Sequence, residues 1–578
     1  MDSNEGIGGL DPRFNHSGPK EREPLMCIRL LSLLIPGAVV LGGSLAASSS
    51  IPRDISIDEP RIVKGELVFP EGANIPRYMT ETERRWMAAH PETRGLPSTA
   101  APDGPIVCGS EYEPMDGIVF AWEGFTGTIA QMAAAITTTG DANVYVACDS
   151  NSEANSARSS MISAGADPDR IVTVVRSTDT VWIRDYGPRM VRVGGCRAIV
   201  DHNYNRPRPN DDDFNLEFAD FMDFDYYRLP LTHGGGNYHA SDAGDAAATR
   251  LINNENPGYS EAEIRQIWQD YQNVDTELHA PFPTSVDSTQ HIDMWMQIIG
   301  EDEIIIADWP SHSGSTQDVI CDDTADYYES IGWTVYRTNS YTSGWTHYTY
   351  TNMVLCNDLV ILPRYNDLAS SWNNNALNAV QNAMPEKTVI QVTADSLAYS
   401  AGVFHCITMH IPANAGGADP TAYLRTPNGG GVYDPGDLVV IEWLSDDDEP
   451  AGARTVDISM SADGGATFEI LVSGTADDGS WFWSVPDVDS DAVMIKIEVV
   501  DADGNRGADL SDGLFSIEGT SLPGDVSNDG FVGVDDLLIV IADWSCGGIF
   551  CAGDVNGDLV VNVNDLLLVI NYWGTGTP

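Results

Sequence analysis

Basic residues are scarce in this chain. Its 578 residues include 30 Lys and Arg against 86 Asp and Glu, a formal net charge of -56. A surface of that sign repels nucleic acid and anionic membrane and draws cationic ligands, which excludes a nucleic-acid partner. Cysteine is scarce as well. Nine in 578 residues do not make a disulfide scaffold. Cys546 and Cys551 could pair in an oxidising compartment, while Cys108, Cys148, Cys196, Cys321, Cys356 and Cys406 show no pairing in the sequence. Long apolar runs are lacking with one exception, Leu30 to Ala47, broken by Pro36 and Gly42-Gly43. Arg29 precedes it and Ser44-Leu45-Ala46 supplies small residues for cleavage, the shape of a secretory signal that takes Cys27 with it. The run is too short and interrupted for a stable membrane span. Residues 1–47 are therefore predicted to be a signal peptide and the mature protein to be secreted or displayed at the cell surface. Apolar content is not lacking: 42% hydrophobic residues and 14 Trp exclude a disordered chain, and the length suits three or four domains.

Residues 48–105, rich in Pro and charge, read as an N-terminal extension or pro-segment with a helical patch at Thr80 to His90. From residue 106 to 415 strands alternate with helices: Gly117 to Trp122, Thr126 to Thr139, Ala142 to Cys148, Ser152 to Ala164. That alternation predicts one α/β catalytic domain. Residues 418–518 carry short strands (Leu438 to Trp443, Thr455 to Met460, Phe468 to Val472, Trp481 to Val485, Val493 to Val499) separated by turns such as Asp463-Gly464-Gly465. This spacing predicts a β-sandwich of immunoglobulin or fibronectin type. Residues 523–575 hold a repeat, in which Gly524-Asp525-Val526-Ser527-Asn528-Asp529-Gly530 is echoed by Gly553-Asp554-Val555-Asn556-Gly557-Asp558-Leu559. Each loop leads into an apolar helix. Oxygen ligands at loop positions 1, 3, 5 and 12 suit calcium: Asp525, Ser527, Asp529 and Asp536, then Asp554, Asn556, Asp558 and Asp565. The doubled loop resembles a dockerin type I module, which implies a cohesin-like protein partner. Leu559 departs from it, standing where the loop turn takes glycine.

Three further segments carry chemistry. Cys406, at the end of an apolar strand, can serve as a nucleophile or as a buried structural thiol. His291 and Asp293, two apart on a strand, would face one side and share a pocket; a satisfied histidine on an acidic strand is the plainer alternative. Asp185, among Trp182, Tyr186, Gly187 and Pro188, can meet a guanidinium edge while the Trp182 indole stacks on its face, or can simply form a turn.

Together the motifs Trp182-Ile183-Arg184-Asp185-Tyr186-Gly187-Pro188, His233-Gly234-Gly235-Gly236-Asn237, His291-Ile292-Asp293-Met294-Trp295, Tyr350-Thr351-Asn352 and His405-Cys406-Ile407-Thr408 resemble the agmatine deiminase and Porphyromonas-type peptidylarginine deiminase family. The resemblance implies a pentein fold, a five-bladed α/β propeller of ββαβ units, and a hydrolase of linear amidines that needs no cofactor for catalysis. It implies Cys406 as nucleophile, His291 as general acid and base, Asp185 and Asp293 as the guanidinium clamp, and Asn352 as an orienting group. Asn237 joins Trp182 among the substrate contacts.

Arg206 and Arg208, held apart by Pro207, form a local basic pair suited to a carboxylate. The peptidylarginine deiminase branch resembles this segment and reads the carboxylate of a C-terminal arginine there; an ion pair with Asp211, Asp212 or Asp213 is the structural alternative. The expected activity is conversion of peptide arginine to citrulline and ammonia through a covalent thiouronium on cysteine. Two alternatives stand beside it: an exported agmatine deiminase, and a calcium-dependent surface binding protein without activity.

Overall fold

A computed structural model describes residues 58–90, 96–448, 451–519, 522–547, 551–556 and 558–576. The signal-like segment lies outside them. Among the described residues no helix is long and apolar enough to cross a membrane.

Five sheets of one pattern build residues 106–412. In each, an antiparallel strand pair is followed by a helix and then by a strand parallel to the second of the pair. The middle strands of the five are Met115–Ala121, Cys196–Tyr204, Asp245–Thr249, Glu303–Asp308 and Leu359–Arg364. Their parallel partners are Asn143–Cys148, Asp225–His233, Asp275–His279, Thr334–Asn339 and Thr388–Thr393. The first sheet takes its antiparallel partner, Met409–Pro412, from the far end of the domain. These middle strands are covered on both faces, so they read as continuous apolar runs such as Ile304-Ile305-Ile306, all fully buried. The first helices and strands fall within about two residues of their expected limits, at Thr126–Thr138, Asn143–Cys148 and Asn151–Ala164.

Two local expectations are corrected. His291 and Asp293 are not on a strand: His291 caps a single 3-10 turn, Ile292–Met294. Cys406 is likewise in a 3-10 turn, His405–Ile407, just before the strand Met409–Pro412. In such a turn neighbouring residues fan apart around a tight bend, so alternation does not decide what they face.

The N-terminal extension packs onto the domain, and its helical patch is present. A hairpin, Arg61–Val63 with Glu66–Val68, leads into a strap that runs to Thr80, and the helix Glu81–Ala89 follows. The helix is started by a reciprocal box: Thr80 Oγ1 accepts from the Glu83 amide and the Glu83 carboxylate accepts from the Thr80 amide.

Beyond residue 420, two sheets enclose a core containing Trp443, Trp483, Ile458, Ile497 and Phe515. One sheet contains Thr421–Thr426, Leu438–Asp446 and Ser480–Ser484; the other is centred on Ser490–Val500. This region is tied to the catalytic domain by Arg197, whose guanidinium donates to both Asp446 carboxylate oxygens in a buried pair. The tail places two short helices, Val534–Ala542 and Val563–Asn571, over a small core. A disulfide joins Cys546 and Cys551, and the other six described cysteines are free and buried.

Candidate active site

Asp185 lies on the four-residue helix Ile183–Tyr186. The Gly187 amide closes that turn onto the Ile183 carbonyl at 2.6 Å, and a Cβ at Gly187 would lie 2.4 Å from the same oxygen. Glycine is thus required for the turn that aims Asp185. Asp293 and His291 come from their 3-10 turn, Cys406 from its own, and Asn352 from the segment before the strand Val354–Cys356. All five side chains are buried within 1% of full exclusion.

At their centre is the guanidinium of Arg77, a residue of the N-terminal strap that the motif reading did not single out. Its Nε and Nη2 donate to the two oxygens of Asp185 at 2.9 and 2.7 Å. Its Nη1 and Nη2 donate to those of Asp293 at 3.2 and 3.0 Å. Nη1 lies 2.6 Å from Cys406 Sγ, and Nη2 lies 2.7 Å from His291 Nδ1. Two bidentate carboxylates, a thiol and an imidazole therefore converge on one planar cation, the geometry that guanidinium forks favour.

Glycine makes the seat. A Cβ at Gly236 would lie 2.0 Å from Arg77 Nη2 and 2.7 Å from Asp293 Oδ2. The Gly236 amide instead donates to Asp185 Oδ1.

Burial alone would raise the Asp185 carboxyl, but Arg77 and then His291 outweigh it and hold it well below the usual range. Asp293 is lowered in the same way, against its burial, by Arg77 and His405. The Cys406 thiol is pushed well up, first by burial and then by Asp293 and Asp185, with Arg77 the opposing influence. A cation in the clamp thus favours the thiolate, which is the nucleophile.

Asn352 joins these parts. Its Nδ2 donates to the Asp293 carbonyl, and its Oδ1 accepts from the Cys406 amide at 3.4 Å and faces Sγ at 3.3 Å. Behind them is a layer the sequence reading did not assign. His405 Nδ1 is 3.0 Å from Asp293 Oδ2 and its Nε2 is 2.9 Å from Glu111. Arg184 donates to Glu111 at 2.6 Å. Glu111 lies in no motif, so only its distance from charged partners in space reveals it.

The four expected substrate contacts are placed differently. Trp182 is fully buried, and its Nε1 donates to the Ile75 carbonyl of the strap, 2.8 Å away. Asn237 pairs both ends of its amide with the backbone of Thr249, so it frames the wall instead of facing the guanidinium. Arg206 and Arg208 do not act as a pair. Arg206 Nε donates to the Arg77 carbonyl at 3.3 Å, whereas Arg208 is fully buried, ion-paired with Glu83 at 2.8 Å and bonded to the Pro76 carbonyl. Arg208 holds the Glu83 carboxyl below its ordinary range despite burial. The acidic partner is thus on the helix that follows the strap and not among Asp211, Asp212 and Asp213.

A model of the Porphyromonas-type peptidyl-arginine deiminase family matches residues 121–412. A Yersinia pestis protein provisionally named an agmatine deiminase is 24% identical over 379 residues, 56% of this chain and 99% of its own. A Vibrio parahaemolyticus protein of the same provisional name is 24% identical over 275 residues, 40% of this chain and 75% of its own. The solved agmatine deiminase of Enterococcus faecalis is 20% identical, covers 54% of this chain and 99% of its own, and superposes with a TM-score of 0.46.

Proposed function

The chain belongs to the Porphyromonas-type peptidyl-arginine deiminase family, a family of hydrolases acting on guanidino C–N bonds, and from that premise we propose that it converts arginine in peptides to citrulline. The observation that carries this reading is Arg77, an arginyl residue with main chain on both sides, held by every group of the clamp. Its carbonyl oxygen, beside Arg206, marks where a C-terminal substrate would place its carboxylate. The five ββαβ units are read here as the blades of a pentein propeller.

The chemistry needs only the chain's own groups and water. Asp185 and Asp293 hold the guanidinium and align its carbon with sulfur. Cys406 attacks as a thiolate, and His291, 2.7 Å from Nη2, protonates the departing ammonia. The thiouronium that remains is hydrolysed by water activated through His291, leaving a ureido group. Arg184, Glu111 and His405 fix Asp293 from behind.

Turnover of a peptide ending in arginine should exceed that of agmatine, assayed as ureido product in the full chain and in an Arg77→Ala chain. Arg206→Ala should raise KM for the peptide about 10- to 100-fold, the loss of one charge-assisted hydrogen bond, and leave agmatine unchanged. Equal loss on both, or turnover of agmatine alone, would move the enzyme to agmatine.

We further propose that the protein is exported and that its tail takes calcium and docks a cohesin-like partner. The Cys546–Cys551 disulfide suits an oxidising compartment. The two tail loops are built alike from oxygen donors. Asp525 accepts from the amides of Asp529 and Gly530, and Asp554 from those of Asp558 and Leu559. Leu559 takes a left-handed φ of 67°, close to the 83° of Gly530, so the turn at Leu559 matches that at Gly530 at a cost of about 1 kcal/mol. Calcium should slow amide exchange across residues 525–536 and 554–565 alike. Leu559→Gly should slow the second loop roughly five-fold more, the equilibrium factor for that energy. No response to calcium would leave the tail as two acidic turns.

A further inference from the structure

We propose that Arg77 is the chain's own first substrate: Cys406 deiminates it in cis, and the resulting citrulline releases the strap and opens the site. The inference rests on the deiminase reading above and goes beyond it, since it names a modified residue and a step that precedes turnover.

Each group assigned to a substrate guanidinium is bonded to Arg77. Asp185 and Asp293 take it bidentately, His291 Nδ1 faces Nη2, and Cys406 Sγ lies 2.6 Å from Nη1, one bond from the carbon it would attack. A structural arginine needs carboxylates; it does not need a nucleophile and a proton donor on opposite nitrogens. The strap is also held as a bound peptide is. Ile75, Pro76 and Arg77 offer their carbonyls to Trp182, Arg208 and Arg206, and the Arg77 amide donates to the Ser400 carbonyl. Glu83 adds a carboxylate on Arg208. The strap and the first turn of its helix therefore present a guanidinium and a carboxylate, the two charges of an arginine substrate.

A second guanidinium cannot enter while Arg77 fills the seat, because the clamp closes around it with no room even for a Cβ on Gly236. Turnover of external substrate therefore requires Arg77 to leave, and the site holds the means. A bond forms between Sγ and Cζ, and the bond from Cζ to one terminal nitrogen breaks. That nitrogen departs as ammonia with a proton from His291. Water then adds to Cζ, the C–S bond breaks, and the side chain becomes a ureido group. In sum, guanidinium and water give ureido and ammonium. The neutral product leaves Asp185 and Asp293 buried without their cation, which disfavours the docked strap strongly.

The test is peptide mass mapping of residue 77 in the purified full chain, incubated over time. Wild type should gain the mass of O in place of NH at Arg77, and Cys406→Ala should not. A tagged Cys406→Ala chain mixed with wild type should keep its arginine, which separates cis from trans. Turnover of an external arginyl peptide should show a lag that ends as residue 77 converts, and the Arg77→Gln chain should show none. Intact arginine at 77 in wild type that already turns over external peptide overturns the proposal, as does conversion of the tagged chain. An Arg77→Gln chain that folds but acts on no guanidine defeats the deiminase reading itself, and this proposal with it.

Discussion

Cys406→Ala should abolish deimination of every guanidino substrate, a loss of at least about four orders of magnitude in kcat, as for removal of a covalent nucleophile. The fold should survive, because the small side chain shortens by one sulfur in a 3-10 turn whose backbone is held by Asn352. Guanidine binding should also survive. Asp185 and Asp293 supply the charge, and a guanidinium seated between them, as that of Arg77 is, holds both carboxyls well below the usual range against their burial. A peptide arginine should thus bind a Cys406→Ala chain that also carries Arg77→Gln, which leaves the seat open, yet release no ammonia. The thiol also sets a pH dependence. Burial and two carboxylates raise its pKa, and a bound cation opposes that rise. Alkylation of Cys406 by a neutral reagent should therefore climb with pH above neutrality, and a reagent bearing an amidinium should react faster at neutral pH. Residual ammonia release by Cys406→Ala at more than a trace would remove the thiolate from the mechanism.

The alternation of strands and helices, and the motif residues that the fold brings together, were legible because they rest on local pattern. The alternation from Gly117 to Ala164 has the periods of strand and helix, and the motifs around Asp185, His291 and Cys406 are short and contiguous. Three things were not legible. The turns that carry His291 and Cys406 resemble strands in composition, since apolar residues flank both, and a single 3-10 turn leaves no periodicity. Glu111 and His405 gain their meaning from partners 73 to 294 residues away in the chain. Arg77 was hidden for a different reason. The strap is rich in Pro and charge, which is how an unpacked extension reads, and nothing in its own neighbours announces that its cation fills a buried seat. The basic pair Arg206 and Arg208 was visible as an anomaly in an acidic chain, but its partners are strap carbonyls and Glu83, contacts that sequence spacing does not encode.

Asp293→Asn is the more informative of the clamp variants, because Asp293 touches three functions at once. It holds Arg77 Nη1 and Nη2, receives His405 Nδ1, and lies 3.6 Å from Cys406 Sγ. The amide keeps the shape and one acceptor but removes the charge that a buried guanidinium needs. Breaking one partner of a buried pair costs about 3–5 kcal/mol, so kcat/KM for an arginyl peptide should fall about 10²- to 10⁴-fold. The sign of the accompanying thiol shift is opposite to that of the activity. Asp293 raises the Cys406 pKa, so its neutral replacement should lower it, and alkylation by a neutral reagent should begin at lower pH than in an Asp293-bearing chain with the same strap state. Lost turnover beside an easier thiolate would separate the clamp's role from that of the nucleophile. Asp185→Asn should lose a comparable amount without disturbing His405, whose contact is with Asp293 alone of the two. If Asp293→Asn turned over an arginyl peptide within about ten-fold of the parent, the charge pairing at that carboxylate would contribute little, and binding would have to be assigned to Asp185.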